Sequence, residues 1–414
     1  MFERLQENIK KTTDRSKYLE DFHDFCFAPF IKIIVWARRV WKSFFIFSII
    51  KKLLENNFLD EKEIFYINKE WLEYDDIRDY KDLHTYFLNW KEENKIWNKF
   101  FIWIDEIQEI QDWQKFILSV WSSYPKSIIF ITWSNSKLLS RDLWTNLRGR
   151  YISKKIFPLS FNEFSIFKNQ NIDDNLLHEY INYWWLPAIC SIDDINIKLE
   201  YLRWVYNTIF VKDLLEYENI RNPSLLKNIH RFLFKEFWNL INSKNISDFL
   251  KSEKIKTSVE TILNYMEFSF NSYLFDEVHR YDIRWKKLFE ITKKIYAFDL
   301  WIRNSIVWLS IRDDIWGIYE NLVYHHLISN GYDVKVGILW EREIDFIAEK
   351  AWEKMYVQVA YILSSKQVIE REFWNLLSIK DNYEKIVISS DRLFVNNYEW
   401  IKHYNILEWL KNMD

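Results

Sequence analysis

The chain has 414 residues, enough for two to four domains of roughly 100–200 residues each. Its 57 Lys and Arg against 60 Asp and Glu give a formal net charge of −3, which excludes a basic coat over the whole surface for nucleic acid or membranes. Two cysteines exclude a disulfide framework and a zinc site built from cysteines, and they fit a reducing compartment.

The start of the chain and its apolar runs predict a cytoplasmic protein. Met1–Arg4 is not a cationic head followed by an apolar stretch, so no signal peptide is expected. The apolar runs are short, as in Phe44–Ile50, which stops at Lys51. We therefore expect no transmembrane helix and no membrane partner.

Glycine and tryptophan occur in unusual numbers, 4 and 23. A globular chain of this length carries about 7% Gly, or roughly 29 residues, and the two counts together make 27. Several tryptophans stand in predicted turns that favour glycine, among them Trp133, Trp184, Trp301 and Trp400. They are either genuine residues of an aromatic-rich protein, or glycines encoded by UGA and written as Trp by a standard translation table. The composition favours the second interpretation, although Trp113 reads as a genuine aromatic at a helix start.

The first predicted strand and helix enclose a segment with the spacing of a phosphate-binding loop. Ile31–Val35 reads as a buried strand and the apolar run to Leu54 as a helix. Between them, Lys42 and Ser43 fill the last two positions of G-x-x-x-x-G-K-[ST], where Lys neutralises phosphate oxygens of ATP and Ser binds Mg²⁺. The residues that would wrap the phosphates are Trp36, Ala37, Arg38, Arg39, Val40 and Trp41.

Two of those loop positions decide whether the segment can bind ATP. Trp36 and Trp41 stand at both glycine positions of the motif. Glycines let backbone N–H groups turn toward phosphate, whereas an indole at 41 would block its approach. ATP binding is therefore predicted only with glycine at these two positions.

A second apolar strand, Lys99–Ile104, ends in two carboxylates. Asp105 is expected to hold Mg²⁺ through water, and Glu106 is expected to polarise the attacking water. The structural alternative is an acidic helix cap, which the position downstream of a phosphate loop disfavours.

A third strand, Ser127–Thr132, is followed by Ser134 and Asn135, which are expected to contact the γ-phosphate or the lytic water unless they form a simple turn. Farther on, Arg148 or Arg150 could reach the nucleotide of another subunit as an arginine finger. A solvated basic turn is the alternative for the arginines, and a homo-oligomer stays open.

These motifs together resemble one family of prokaryotic AAA-type ATPases, and the resemblance covers nearly the whole chain. It extends to Phe157–Phe164, after the arginines. The resemblance implies ATP binding, hydrolysis, and glycine at positions 36, 41, 133, 184, 185 and 301. It also implies a C-terminal domain of unknown function that is often viewed as restriction-endonuclease-like.

The remainder divides into three predicted segments after an ATPase domain at 1–165. Residues 166–235 read as amphipathic helices that form a lid or connector. Residues 236–290 read as a winged helix with two helices and a hairpin, which could bind DNA through Lys251, Lys254, Lys256 and Lys287. Because the recognition helix is not basic, a protein–protein or scaffold role is favoured.

Residues 291–414 are similar to the PD-(D/E)XK nuclease core, in which carboxylates surround one or two Mg²⁺. Glu320, Asp345 and Gln358 match three metal positions, and Ala360 stands where that core has Lys. The similarity therefore implies a degenerate, non-cleaving domain. A mixed α/β domain in which these residues only pack is the structural alternative.

The predicted architecture is α/β: a parallel-sheet P-loop ATPase domain, a helical connector, a winged helix and a mixed α/β restriction-endonuclease-like domain. The predicted function is Mg²⁺-dependent ATP hydrolysis. The alternatives are an ATP-gated DNA-binding or interaction module with little turnover, an active Mg²⁺-dependent nuclease, and an inert relic that truly contains Trp41.

Overall fold

The computed structural model describes most of the chain. The described residues are 7, 9, 15–19, 21–35, 42–133, 147, 149–183, 186–190, 192–216, 220–307, 314–340, 342–363, 366–392 and 397–412. Several predicted site residues lie outside this set, namely 36–41, Ser134, Asn135 and Arg148. The chain folds as two compact units, Met1–Phe157 and Pro158–Asp414.

The first unit is a parallel sheet with helices. Its elements are α1 (Phe22–Phe27), β1 (Ile31–Val35), α2 (Lys42–Glu55), β2 (Ile64–Asn68), α3 (Tyr80–Asn94), β3 (Phe101–Asp105), α4 (Trp113–Ser123), β4 (Ile128–Trp133) and β5 (Tyr151–Lys155).

The five strands of this sheet lie in the order β2-β3-β4-β1-β5, and every pair is parallel. All residues of β1 to β4 are buried, which explains why these strands read as nearly continuous apolar runs. β1 is an inner strand of the sheet. After β1 the chain crosses to β2 at one edge, and its last strand in this sheet, β5, forms the other edge. This reversal opens a crevice at the carboxyl ends of the central strands, where ligands bind in such sheets.

The second unit contains the remaining elements. They are α5 (Phe161–Lys168), α6 (Asp174–Tyr183), α7 (Ile195–Thr208), a π-helix (Ile209–Glu216), α8 (Pro223–Lys235), β6 (Leu240–Ile241), α9 (Ser243–Ser252), α10 (Val259–Asn271), β7 (Phe275–Asp282), β8 (Lys287–Ala297), α11 (Leu300–Val307), α12 (Ile315–Ser329), β9 (Asp333–Leu339), β10 (Arg342–Lys350), β11 (Glu353–Val359), α13 (Lys366–Leu377), β12 (Glu384–Ser389), β13 (Asn397–Tyr398), β14 (Ile401–Asn405) and α14 (Ile406–Asn412).

Most of the helices predicted here are present, and the departures have physical reasons. Within the segment 166–235, predicted to consist of amphipathic helices, Ile209–Glu216 is a π-helix directly after α7. The expected positive-φ turn at Trp301 is wrong. Trp301 lies in the first turn of α11, where the Asp299 carboxylate accepts hydrogen bonds from the N–H groups of Trp301 and Ile302, both at 2.8 Å.

One nine-stranded sheet runs through this unit in the order β13-β14-β12-β11-β10-β9-β7-β8-β6. β7 and β8 form the predicted hairpin, and β7 also pairs in parallel with β9. β8 crosses the predicted boundary at 290/291, so the segment expected to be a winged helix and the tail share this sheet. The consecutive elements α12, β9, β10, β11, α13 and β12 contribute the strands β9 to β12 to this sheet.

Candidate functional site

The first candidate site lies at the carboxyl ends of the central strands of the first unit. Lys42 and Ser43 are the first two residues of α2, which follows β1. Lys42 is buried. This arrangement points the amino terminus of α2, with its partial positive charge, toward the strand ends, where an anion is favoured.

Asp105, the last residue of β3, is the centre of a hydrogen-bond cluster at this edge. The Ser43 hydroxyl donates to Asp105 Oδ2 at 2.8 Å, and the Thr132 hydroxyl donates to Asp105 Oδ1. The Asn68 amide lies 3.5 Å from Oδ2. The cluster therefore joins the start of α2 to three neighbouring strands and fixes the carboxylate beside the predicted Mg²⁺ ligand Ser43.

Burial, and then the neighbouring Glu106 carboxylate, raise the pKa of Asp105 from its ordinary value of 3.8 to about 6. The hydroxyls of Thr132 and Ser43 and the charge of Lys42 oppose this shift. A nearby cation would strongly stabilise the ionised form of such a carboxylate. The electrostatics thus suit Mg²⁺ at this position.

Glu106 is held in an uncommon backbone conformation, with φ at +52°. Its N–H donates to the Thr132 hydroxyl at 3.3 Å, and the Gln108 amide donates to its carboxylate. Left-handed backbone at a non-glycine residue costs about 1–3 kcal/mol and clusters at functional sites. Glu106 is buried beside Asp105. Such burial suits a residue that orients one water molecule away from bulk solvent.

The sequence analysis missed Thr132 and Asn68. Both are polar residues at the carboxyl ends of otherwise apolar strands, β4 and β2. That position was the available signal, because the ends of parallel strands meet at one edge of the sheet. The Asn68 side chain also lies 3.3 Å from the Tyr66 hydroxyl, which orients the amide.

Arg150 lies at the amino ends of the strands, on the side of the sheet away from Asp105. Its carbonyl accepts from the N–H of Ile31, the first residue of β1, and its guanidinium lies 5.0 Å from the centre of the Trp121 ring. Within one chain, Arg150 therefore does not reach the carboxyl ends of the strands. Its predicted role toward the nucleotide of another subunit stays a prediction.

The second candidate site is the carboxylate cluster, which comprises Glu320 on α12, Glu343 and Asp345 on β10, and Gln358 on β11. Asp345 Oδ2 accepts from the N–H of Val359 at 2.8 Å. Phe346 of β10 pairs with Val357 of β11, so Asp345 and Gln358 each lie next to a residue of this pair. Burial, followed by the Glu320 charge, raises the pKa of Asp345 well above its usual range. Three predicted residues are thus brought into one neighbourhood.

A lysine that the sequence analysis missed lies inside this cluster. Lys294, on β8, is 3% exposed, and its Nζ lies 2.6 Å from Glu320 Oε1 and 2.7 Å from Glu343 Oε1. The Tyr296 hydroxyl donates to the same Glu320 oxygen at 2.6 Å. Nothing in the spacing of the sequence links β8 to α12 and β10, because the contact depends on the order of strands in the sheet.

Two kinds of feature are absent from the described residues. Within the described ranges, no group of three or more His, Cys, Asp or Glu side chains is arranged to hold a metal. Among the same residues, no helix is both long and apolar enough to cross a membrane.

Residues 29–165 match the family model described as an AAA domain, and residues 174–313 match the Domain of unknown function (DUF8612). An uncharacterized protein of Haemophilus influenzae is 33% identical over 405 residues, which cover 97% of this chain and 99% of that protein. The chain belongs to the same family as this protein. The uncharacterized protein MJ1544 of Methanocaldococcus jannaschii is 32% identical over 355 residues, 81% of this chain and 75% of that protein.

The AAA match and the parallel five-stranded sheet make the first unit an AAA-type P-loop ATPase domain. Among solved structures, AMPPCP-bound DnaA from Aquifex aeolicus is 11% identical with a TM-score of 0.31, over 61% of this chain and 86% of that chain. The AAA match and the parallel sheet, independently of that likeness, confirm the expected α/β fold for the first unit.

Proposed function

We propose that the AAA domain binds ATP with Mg²⁺ and hydrolyses it. Lys42 would neutralise the β- and γ-phosphates, and Ser43 together with Asp105 would hold Mg²⁺, which withdraws charge from the phosphates when bound. Glu106 would act as the base that orients the attacking water. The observation that carries this proposal is the hydrogen-bond cluster of Ser43, Asp105 and Thr132 at the carboxyl edge of the sheet.

The proposal includes glycine at positions 36 and 41, so that the backbone from 36 to 41 can wrap the phosphates. The loop itself lies outside the described residues, and the support comes from tryptophans elsewhere. Trp238 and Trp340 have φ of +62° and +61°, a conformation that is an outlier for a bulky residue and ordinary for glycine.

Two further tryptophans lie in two-residue hairpin loops. Between β10 and β11 the loop is Ala351-Trp352, and between β13 and β14 it is Glu399-Trp400. Glycine is common in such loops, although the positive φ lies on Ala351 and Glu399 and not on the tryptophans. Trp352 is 98% exposed, although tryptophan is normally well buried.

Buried tryptophans give support of a different kind. Among the described residues, the buried indole N–H groups of Trp90, Trp103 and Trp133 have no hydrogen-bond partner. Buried indoles usually find one. Trp113, in contrast, is buried at the start of α4, where the sequence predicts a genuine aromatic.

A direct test has a genetic part and a binding part. The codons at positions 36, 41 and 133 should be UGA, and UGG at these positions would contradict the glycine proposal. A chain with glycine at 36 and 41 should bind a fluorescent ATP analogue with Mg²⁺, and Lys42→Ala should weaken that binding at least 100-fold. Tight binding by the chain that retains Trp36 and Trp41 would refute the role given to these glycines.

The remaining nucleotide contacts are proposed from the sequence. Ser134 and Asn135 would contact the γ-phosphate or the lytic water, and Arg148 or Arg150 would act on the nucleotide of a second subunit in a homo-oligomer. Because Arg150 lies at the amino ends of the strands, away from Asp105, it could act only on the nucleotide of another subunit.

For the second unit, we propose a nuclease-like domain without cleavage activity. The order α12, β9, β10, β11, α13, β12 and the grouping of Glu320, Asp345 and Gln358 support the likeness, and these three residues would hold the metal. Ala360 is buried and carries no amine, which supports inactivity. The ammonium of Lys294 favours the second candidate, an active Mg²⁺-dependent nuclease. Nicking of plasmid DNA in Mg²⁺ or Mn²⁺, abolished by Asp345→Asn, would establish that candidate.

We also propose a connector at 166–235, a winged helix at 236–290 and a nuclease-like domain at 291–414, with β8 continuing from the winged helix into the nuclease-like domain. The succession α9, α10, β7, β8 supports the winged helix. The exposed side of α10 carries Val259, Glu260 and Leu263, which suits a protein partner better than DNA. Salt-dependent retention on DNA, measured with and without ATP, would support DNA binding instead.

A further inference from the structure

A cavity of about 560 Å³ lies within the second unit, and none of the described residues that line it belongs to the two sites above. Part of its wall lies where three strands end, because Tyr361 follows β11, Ser390 follows β12 and Asn405 is the last residue of β14. These three strands are parallel. In α/β sheets ligands bind at the carboxyl ends of parallel strands, and small-molecule sites have volumes of roughly 300–1,000 Å³. The cavity therefore has the position and the size of a ligand site.

Helix α6 contributes three polar side chains to the lining, Asp174, His178 and Asn182. They are spaced four residues apart and so lie on one face of the helix. The Asn182 amide donates to His178 Nδ1 at 2.9 Å, so Nε2 carries the hydrogen of the neutral imidazole. Among the described residues, neither His178 Nε2 nor Asn182 Oδ1 has a hydrogen-bond partner. The helix therefore offers one donor and one acceptor to a ligand.

Two tyrosine rings form an aromatic corner in the same cavity. The ring centres of Tyr319, on α12, and Tyr361 lie 5.2 Å apart, and the ring planes meet at 75°. Neither hydroxyl has a hydrogen-bond partner within the described part of the chain. A flat ring placed in such a corner stacks on one tyrosine and meets the other edge to face, the two arrangements that aromatic pairs prefer.

The charges around the cavity are matched. Asp174 is the one carboxylate among the described lining residues, which include no lysine or arginine. Its Oδ1 already pairs with Arg392 at 2.6 Å, and both side chains are more than half exposed. An ionic ligand would lose its hydration here without gaining an unpaired opposite charge. The lining therefore favours an uncharged ligand.

We propose that this cavity binds an uncharged aromatic heterocycle of the nucleoside class. The base would stack in the corner of Tyr319 and Tyr361, and the donor and acceptor on its edge would pair with Asn182 and His178. A nucleoside supplies the flat ring, both kinds of hydrogen-bonding group and no charge. The inference is independent of ATP hydrolysis and of the nuclease-like function proposed above.

The test is equilibrium dialysis of radiolabelled adenosine against the full chain. We expect saturable binding that Tyr361→Leu weakens roughly 10- to 100-fold, as for the loss of a base-stacking ring. Tyr361→Phe, which keeps the ring, should lose far less affinity. His178→Leu should weaken binding roughly 2- to 10-fold by removing one hydrogen bond. Tyr383→Leu is the matched control at an exposed tyrosine of the same unit, and it should leave the affinity unchanged.

Three outcomes would overturn the proposal. The first is the absence of saturable binding for adenosine, guanosine, cytidine and uridine alike. The second is binding that neither Tyr361→Leu nor His178→Leu weakens, which would place the nucleoside elsewhere on the chain. The third is tighter binding of AMP than of adenosine, which would contradict an uncharged ligand. His178 is exposed, so its substitution tests the cavity even if Tyr361→Leu does not fold.

Discussion

Replacing Asp105 by Asn should stabilise the nucleotide-free protein, although it removes a residue proposed for Mg²⁺ binding. Asp105 is buried, and its pKa is about 6 in the folded chain against an ordinary value of 3.8. At ~1.4 kcal/mol per pKa unit, this difference costs the fold about 3 kcal/mol when Asp105 is ionised. Asn carries no charge, and the Ser43 and Thr132 hydroxyls can reorient toward its amide.

The sign and the pH window follow from linkage. The folded chain binds a proton at Asp105 more tightly than the unfolded chain does. The contribution of Asp105 to the free energy of unfolding therefore falls as the pH rises from about 4 to about 6. Above that range, the full cost of burying the ionised carboxylate is present. Asp105→Asn should raise the free energy of unfolding by about 1–3 kcal/mol at pH 8, and the gain should fade toward pH 4.

Urea denaturation of the nucleotide-free chain at pH 5, 6, 7 and 8 measures this difference directly, because the other titrating groups are common to both proteins. Asp76→Asn, at an exposed carboxylate, is the control and should change the stability by less than about 0.5 kcal/mol. A gain that is equal at pH 5 and pH 8, or a loss at pH 8, would refute the reasoning from burial.

Three further predictions concern other parts of the chain. In the protein with glycine in the loop, Glu106→Gln should still bind ATP but hydrolyse it roughly 10²- to 10⁴-fold more slowly. Glu109→Gln, at an exposed position, should leave the hydrolysis rate unchanged. Equal rates for the two variants in a phosphate-release assay would show that Glu106 is not the base. Trp340→Gly should raise the free energy of unfolding by about 0.5–1 kcal/mol, because glycine adopts positive φ without strain. Trp113→Gly should lower the free energy of unfolding by roughly 3 kcal/mol or more. A loss for Trp340→Gly and a gain for Trp113→Gly in urea denaturation would contradict the glycine interpretation. Burial lowers the pKa of His230 from 6.5 to about 3, so His230 should contribute a loss of stability below pH 6.5 of up to ~1.4 kcal/mol per pH unit. His230→Asn should remove this contribution, measured as the difference between the two proteins in melting curves between pH 5 and 7.

The first site was predictable to the extent that its residues are neighbours in the sequence. Lys42 and Ser43 follow a strand and open a helix, and Asp105 and Glu106 end another strand, so local pattern sufficed to find them. Thr132 and Asn68 were missed because each is a single polar residue in an apolar run. Their contact with Asp105 exists only because β2, β3 and β4 are adjacent in the sheet.

The amino-acid sequence by itself determined the alternation of strands and helices, the phosphate-loop spacing and the anomalous balance of tryptophan and glycine, because these depend on neighbours along the chain. The tertiary structure alone decided that Lys294 enters the carboxylate cluster, that Arg150 lies away from the strand ends of its own sheet, and that β8 joins two predicted domains. Such facts depend on which strands pair. Strand order is fixed by long-range burial and hydrogen bonding, which no short stretch of sequence encodes.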